Sequence, residues 1–496
     1  MLLEDMISNH RADCSGCSAC ENICPKNCIS MARDSEGFAY PKINHEVCIS
    51  CGKCDKVCPA LNFKPTMPDK LPDAFVAIYP DEKVRRHSSS GGAFTALSEL
   101  VLSTGGIIFG AGFNENWQVV HTSAENPDEL ENLRGSKYVQ SQIGDVYKRV
   151  KAELEKGRRV LFSGTPCQCA GLKSFLDKDY DNLLTVEIIC HGTPSPLLWE
   201  NYIEYIARGH DIAHVNFRSK RFGWTNNHLE INFFDCGFYA KSNGSDLYLK
   251  NFLQLMTERP SCHECKFKFP NGKSDITIGD AWGVQNFAPK FFDDCGTSLV
   301  IIHTAKGRNF LSKTKLEGQQ VNFDVLLAFN PCFLSSSIPD ANRQNFFNEL
   351  KESDPVAIMQ KYFQQPPQPE NGRNTEQEVL EKFVKIIQQF AKRREKNLLL
   401  IIADTDITEI FGHIQFIKRK FKDSGIYHMQ VFDFGKMIFI DCIYPIIKQT
   451  LETNIENMQV IFEDFNITNI YLKGNANFLA VIEHWLKNFG IPIERI

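Results

Sequence analysis

The spacing of eight cysteines near the N-terminus constrains this chain more than any other feature. Residues 14–25 read Cys14-x-x-Cys17-x-x-Cys20-x-x-x-Cys24-Pro25, and residues 48–59 repeat the pattern as Cys48-x-x-Cys51-x-x-Cys54-x-x-x-Cys58-Pro59. Two-residue gaps let three sulfurs of one short loop converge. The proline then turns the chain and sends the fourth thiol toward its neighbour. Zinc takes four ligands per ion and favours paired C-x-x-C units, so three cysteines in series with a distant fourth do not suit it. Eighteen cysteines in 496 residues are too sparse for a disulfide scaffold. Half of them lie between Cys14 and Cys58, which fits a reducing compartment. Cys28 stands outside both runs and reads as a small buried hydrophobe.

The double run resembles the bacterial dicluster ferredoxins, in which three close thiolates hold one 4Fe-4S cube and the fourth cysteine ligates the other. By that rule Cys14, Cys17, Cys20 and Cys58 hold one cluster, and Cys48, Cys51, Cys54 and Cys24 the other. Residues 1–63 are accordingly a dicluster ferredoxin domain.

The rest of the composition narrows the class. Fifty-five basic and 60 acidic side chains leave a formal charge of −5 with no basic run, so nucleic acid is not an expected partner. The longest apolar runs, such as residues 398–403, fall far short of the ~20 residues of a membrane helix, so no integral membrane segment is expected. Residues 1–13 carry acids and lack the apolar stretch of a secretion signal, and a cytoplasmic location is expected.

Beyond the cysteine runs, residues 64–72 hold three prolines and read as a stiff linker. Strand and helix patterns then alternate: strands over 74–79, 107–113, 160–163 and 183–190, helices over 93–103, 146–155, 166–176 and 196–207. Such alternation predicts an α/β domain over 73–363. Residues 215–278 shift to shorter strands with polar turns, an expected α+β insertion. A Pro/Gln-rich break at 364–372 precedes a small C-terminal α/β domain over 375–496. There a helix is expected at 378–396 and another at 478–488, with strands at 398–403, 430–434, 437–442, 459–462 and 469–472. Asp404-Thr405-Asp406 follows the first of these strands, either as a ligand contact or as a polar turn capping the next helix.

Four groups in the middle domain suggest chemistry. Ser88-Ser89-Ser90-Gly91-Gly92 leads into a helix, where small residues let backbone N–H groups approach an anion such as a flavin pyrophosphate; a plain N-cap is the alternative. Arg134-Gly135-Ser136-Lys137-Tyr138 offers cations and an aromatic ring, either beside a flavin or on a solvated turn. In Gly164-Thr165-Pro166-Cys167-Gln168-Cys169, Thr165 caps a helix and Pro166 takes its first position, so the helix dipole is expected to favour a Cys167 thiolate. Cys190, in Ile189-Cys190-His191-Gly192, follows a strand, on the same rim as Cys167 if the strands are parallel. Cys262-x-x-Cys265 by itself fits zinc, a redox disulfide or a cluster; with Cys167 and Cys190 it makes four thiols, the number a third cube needs.

These motifs, together with Asp275-Ile276-Thr277-Ile278-Gly279-Asp280-Ala281-Trp282-Gly283, occur in an order that resembles the family of coenzyme F(420) hydrogenase/dehydrogenase beta subunits, with a dicluster ferredoxin fused in front. The likeness covers residues 1–340. It implies an iron–sulfur flavoprotein oxidoreductase that binds FAD, with a third 4Fe-4S cluster on Cys167, Cys190, Cys262 and Cys265, and Cys169 as an alternative to one of them. It implies Ser90, Gly91, Gly92, Lys137 and Thr165 as flavin contacts, and a redox partner protein or a small-molecule acceptor. No general acid is named; His191 is a candidate, against a structural role. Ferredoxin cubes move single electrons whereas hydride chemistry needs two, and a flavin bridges that mismatch. The alternative is an electron-relay or docking subunit, and relatives of this layout extend that alternative to polysaccharide assembly.

Overall fold

The computed structural model describes residues 2–65, 71–235, 237–323, 326 and 329–364, together with five strands of the C-terminal part. Two compact units result, Met1–Gln365 and Pro366–Ile496. The divide falls at the expected Pro/Gln-rich break. The cysteine-rich segment and the middle domain share the first unit and one hydrophobic core, in which Leu3, Met6, Phe38 and Tyr40 join Tyr147, Trp199 and Tyr202.

The segment begins with a ferredoxin-like arrangement. Helix Ala19–Ile23 leads to the antiparallel hairpin β1 (Ile29–Arg33) and β2 (Ala39–Ile43), and helix Lys53–Val57 follows. The first three cysteines of each run lead into a one-turn helix, as the short gaps demand.

The centre of the unit is an eight-stranded mixed sheet. Its strands are β3 (Asp73–Ile78), β4 (Ile107–Phe113), β5 (Val119–Ala124), β6 (Val160–Gly164), β7 (Leu183–Ile188), β11 (Ile276–Asp280), β12 (Ser298–Ile302) and β13 (Glu317–Val321). Their order is β13-β3-β12-β11-β7-β6-β4-β5. The four strands β4, β6, β7 and β11 are parallel, and the flanking strands pair antiparallel. β6 and β12 are buried along their whole length, as continuous apolar strands covered on both faces must be. Because β6 and β7 run parallel, the chain leaves both toward the same rim, carrying Cys167 and Cys190 with it.

The expected strand over 183–190 stops at Ile188. Ile189 N still donates to Ile278 O at 2.8 Å, after which the chain turns away through Gly192. The insertion is also shorter than expected. It comprises the antiparallel sheet β8 (Ile212–Ser219), β9 (His228–Phe233) and β10 (Phe238–Ser242), followed by helix Leu247–Leu253. Residues 276–278 belong instead to β11, because their apolar side chains fill the space beside β7 in the main sheet.

In the second unit, β14 (Leu398–Ala403) lies between β15 (His428–Asp433) and β17 (Ile467–Lys473), parallel to both. β16 (Ile438–Cys442) and β18 (Ile493–Arg495) form the edges. The helices expected at 378–396 and 478–488, the strand at 459–462 and the Asp404-Thr405-Asp406 turn lie outside the described residues. Among the described residues, no helix is long and apolar enough to cross a membrane.

Candidate redox site

Helix Pro166–Leu176 organises the site. Thr165 N donates to Gln168 Oε1 at 3.0 Å, Pro166 occupies the first helical position, and the helix stops at Asp177 in the left-handed region (φ 53°). This start fixes Cys167 in the first turn at the rim of the sheet. Cys190 lies beside it, its carbonyl held by the Lys268 ammonium, which also reaches Cys332 O. Cys262 closes a single 3-10 turn, Pro260–Cys262, and Cys265 follows it. All four expected ligands, Cys167, Cys190, Cys262 and Cys265, line one small cavity.

Burial pushes the Cys167 thiol up to about 12, and the neighbouring thiols of Cys265 and Cys262 add to the rise. The expected helix-dipole stabilisation is therefore outweighed: desolvation of a thiolate exceeds what one helix end supplies. A bound metal centre would favour these sulfurs as thiolates. Cys169 is separate. Two residues beyond Cys167 on the helix, it faces the fully buried side, with Glu187 and Lys173 as charged neighbours.

Of the two expected ferredoxin-like sets, the first converges on one place. Cys14, Cys17, Cys20 and Cys58 line a second cavity, with Gly16 in the left-handed region (φ +69°). Of the other set, Cys24 is buried, Cys48 and Cys54 are half-buried, and Cys51 is exposed. Cys28 is buried, yet its Sγ lies 3.2 Å from Cys24 Sγ, so it belongs to the surroundings of that second set. Among the described residues, no three His, Cys, Asp or Glu groups close on a single ion. Four-iron cubes spread their thiolates over separate irons.

The two inner sites are adjacent. A Cβ added to Gly171 would meet Cys17 Cβ at 3.0 Å and Cys17 Sγ at 3.1 Å. Gly171 stands four residues after Cys167, on the same helix face. Lys266, next to Cys265, pairs with Asp13 at 3.0 Å, and Phe63 meets Phe267 edge-on at 6.4 Å.

A larger cavity of about 490 Å³ opens at the same rim, within the range of small-molecule cofactor sites. It shares Cys190, His191, Gly192 and Thr193 with the four-thiol cavity. Ser90, Gly92, Lys137 and Thr165 line it; Gly91 does not. A Cβ at Gly91 would collide with Ser298 N and Ala77 O, so this glycine serves packing of the loop on β3 and β12. Gly92 caps helix Ala93–Leu102 with φ +91°. Ser90 Oγ donates to Thr297 O at 2.6 Å. Lys137 Nζ donates to the carbonyls of Asn132 (2.7 Å) and Arg134 (2.9 Å), and burial pulls its pKa down to about 7.

Sequence reasoning misses the strongest polar group of this cavity. Arg218 on β8 is buried, donates to Asp280 Oδ2 at 2.8 Å and to Tyr138 Oη at 3.0 Å, and has no protein partner for Nε or Nη2. Asp280 also accepts from Trp224 Nε1, and Trp224 stacks on Trp282 at 4.9 Å. In the sequence Asp280 and Trp282 stand out only as parts of a motif, and nothing there links Arg218 to them. His191 packs edge-on against Phe252, and burial pulls its pKa down to about 4, so it is a neutral ring at pH 7.

Three family models match the chain: a 4Fe-4S dicluster domain over residues 13–62, and the N-terminal and C-terminal models of the coenzyme F420 hydrogenase/dehydrogenase beta subunit over 74–148 and 157–322. The chain belongs to the family of coenzyme F(420) hydrogenase/dehydrogenase beta subunits. A subunit of the F(420)H(2) dehydrogenase of Methanosarcina mazei is 25% identical over 323 residues, covering 59% of this chain and 85% of that protein. An uncharacterized protein of Methanocaldococcus jannaschii is 22% identical over 343 residues, covering 62% and 87%. Among solved structures, a chain of the F(420)-reducing [NiFe] hydrogenase complex of Methanosarcina barkeri aligns with 18% identity and a TM-score of 0.36, covering 60% of this chain and 94% of that one. Family membership and the dicluster domain make the chain an iron–sulfur protein with a redox role.

Proposed function

We propose that this chain is an iron–sulfur flavoprotein reductase with three 4Fe-4S cubes and one FAD, exchanging electrons between a redox partner protein and a two-electron organic acceptor. The observation that carries this reading is the contiguity of the sites. The cavity on Cys14, Cys17, Cys20 and Cys58 abuts the helix of Cys167, and the four-thiol cavity shares residues 190–193 with the 490 Å³ cavity. When bound, a flavin supplies the exchange between single electrons and a hydride.

The residues of the larger cavity fit such a group. Arg218 offers two buried nitrogens, Nε and Nη2, that the protein leaves unpartnered, the kind of group that binds an anionic or carbonyl edge. Lys137, pinned by two carbonyls, keeps a third donor. The Ser90–Gly92 turn brings a helix N-terminus to the cavity wall, where it favours a phosphate. His191, neutral and buried between the two cavities, fills space without adding charge.

Anaerobic purification with iron and flavin analysis tests the proposal. About twelve irons and one flavin per chain are expected, since each cube carries four; iron near eight without flavin overturns it. A relay or docking subunit is the second reading, motivated by the separate C-terminal unit. Full cofactor content without reduction of any acceptor from dithionite would select it. The coenzyme named for the Methanosarcina mazei relative makes F(420) the first acceptor to assay.

A further inference from the structure

One residue bridges the two inner ligand sets, the first through its side chain and the second through its backbone. Arg259 is fully buried. Its Nε donates to Cys14 O at 2.7 Å and its Nη1 to Gln140 Oε1 at 3.0 Å. The guanidinium lies 4.0 Å from the centre of the Tyr40 ring. A Cβ at Gly16 would come within 2.8 Å of Nη1, so a side chain at position 16 would press on the seated cation. On its other side, Arg259 N donates to Thr193 O and Arg259 O accepts from Cys262 N at 2.9 Å. The acceptors bonded to the side chain are a carbonyl and an amide, both neutral. Nη2 is buried with no protein acceptor.

An arginine keeps its proton under all working conditions, so this is a permanent charge in a site of low dielectric. Bonded through its backbone to Cys262 and through its side chain to Cys14, the buried cation favours the more negative form of a group held at either place. Reduction of a cube adds one negative charge. Resting on the three-cube reading above, we propose that Arg259 is the positioning residue that raises the potentials of the two inner cubes, on Cys14/Cys17/Cys20/Cys58 and on Cys167/Cys190/Cys262/Cys265, above that of the cube on Cys24/Cys48/Cys51/Cys54. Its buried, unpartnered Nη2 would be available to a sulfur of either cube. In each transfer one inner cube loses an electron and the other gains it; no bond forms or breaks and no proton moves. The cation makes the inner pair a shared sink for electrons arriving at the exposed cube of Cys51.

The test uses the full chain, purified without air, with iron analysis followed by EPR-monitored redox titration. Arg259→Gln is expected to lower both inner potentials by about 59 mV, a tenfold change in one-electron partition, and to leave the outer cube unmoved. Arg259→Lys, which keeps the charge, recovers most of that shift. Gln140→Glu sets a carboxylate against Nη1 and is expected to lower the same two potentials with the arginine in place. If Arg259→Gln fails to take up iron, Gln140→Glu decides alone. Twelve irons with unmoved potentials, or with all three moved equally, overturn the role of Arg259. Eight irons in the unsubstituted protein overturn the three-cube reading instead.

Discussion

Gly171→Ala separates the proposed docking of the ferredoxin segment from a chance proximity, because its expected sign is opposite to that of an ordinary helix substitution. In a free helix interior, glycine to alanine stabilises by about 1 kcal/mol. Here the added methyl would lie 2.9 Å from Tyr147 Oη, 3.0 Å from Cys17 Cβ and 3.1 Å from Cys17 Sγ. Neither neighbour can yield cheaply. Tyr147 is fully buried and donates to Gln168 O at 2.8 Å, and Cys17 is a predicted cluster ligand. Overpacking of this kind costs about 1–3 kcal/mol. The balance is a loss of roughly 0–2 kcal/mol for alanine, and about 3 kcal/mol or more for Gly171→Val, whose branched methyls meet the same wall. Anaerobic guanidinium unfolding, with iron release to a chelator followed in parallel, reads both effects. Release should quicken at the cube held by Cys17 and remain unchanged at the outer cube. A Gly171→Ala protein that gains ~1 kcal/mol and keeps its iron would refute the seating of Cys17 on this helix.

Cys169→Ser is expected to retain every cube, whereas Cys167→Ser loses one; loss of iron from Cys169→Ser would put that residue back among the ligands. Arg218→Met leaves Asp280 without its cation and is expected to cost about 3–5 kcal/mol together with the bound flavin, so unchanged stability and flavin content would refute its assignment. Glu187 gives a pH test. Burial, opposed by the hydrogen bond from Thr277, raises its carboxyl from 4.5 to about 7. The folded state thus holds a proton that the unfolded state has lost, and stability falls as pH rises through that window, by up to about 3 kcal/mol. Glu187→Gln should flatten this fall in denaturation midpoints taken across the window, and equal slopes in the two proteins would refute it.

What the sequence made legible is what covalent spacing decides. Three cysteines at two-residue gaps can only serve one local centre, and Cys14, Cys17 and Cys20 do line one cavity, with Cys58 arriving from the second run as the spacing rule requires. The helix starting at Pro166 was legible for the same reason, since Thr165, Pro166 and Gln168 are a local signal. The Ser-Gly-Gly turn was legible as a turn but not in its purpose. Glycine leaves the same mark whether it opens space for a ligand, as the cavity-lining Gly92 can, or for a neighbouring strand, as Gly91 does. Arg218 and Arg259 left no mark at all. Their partners are Asp280, 62 positions along the chain, and Cys14, 245 positions away, and only folding brings them together. The division is physical: ligand identity is fixed by local geometry, whereas the energy of an electron on each cube is fixed by charges that tertiary structure places around it. Two chains with the same twelve cysteines but a neutral side chain at position 259 would therefore bind the same iron and order their potentials differently.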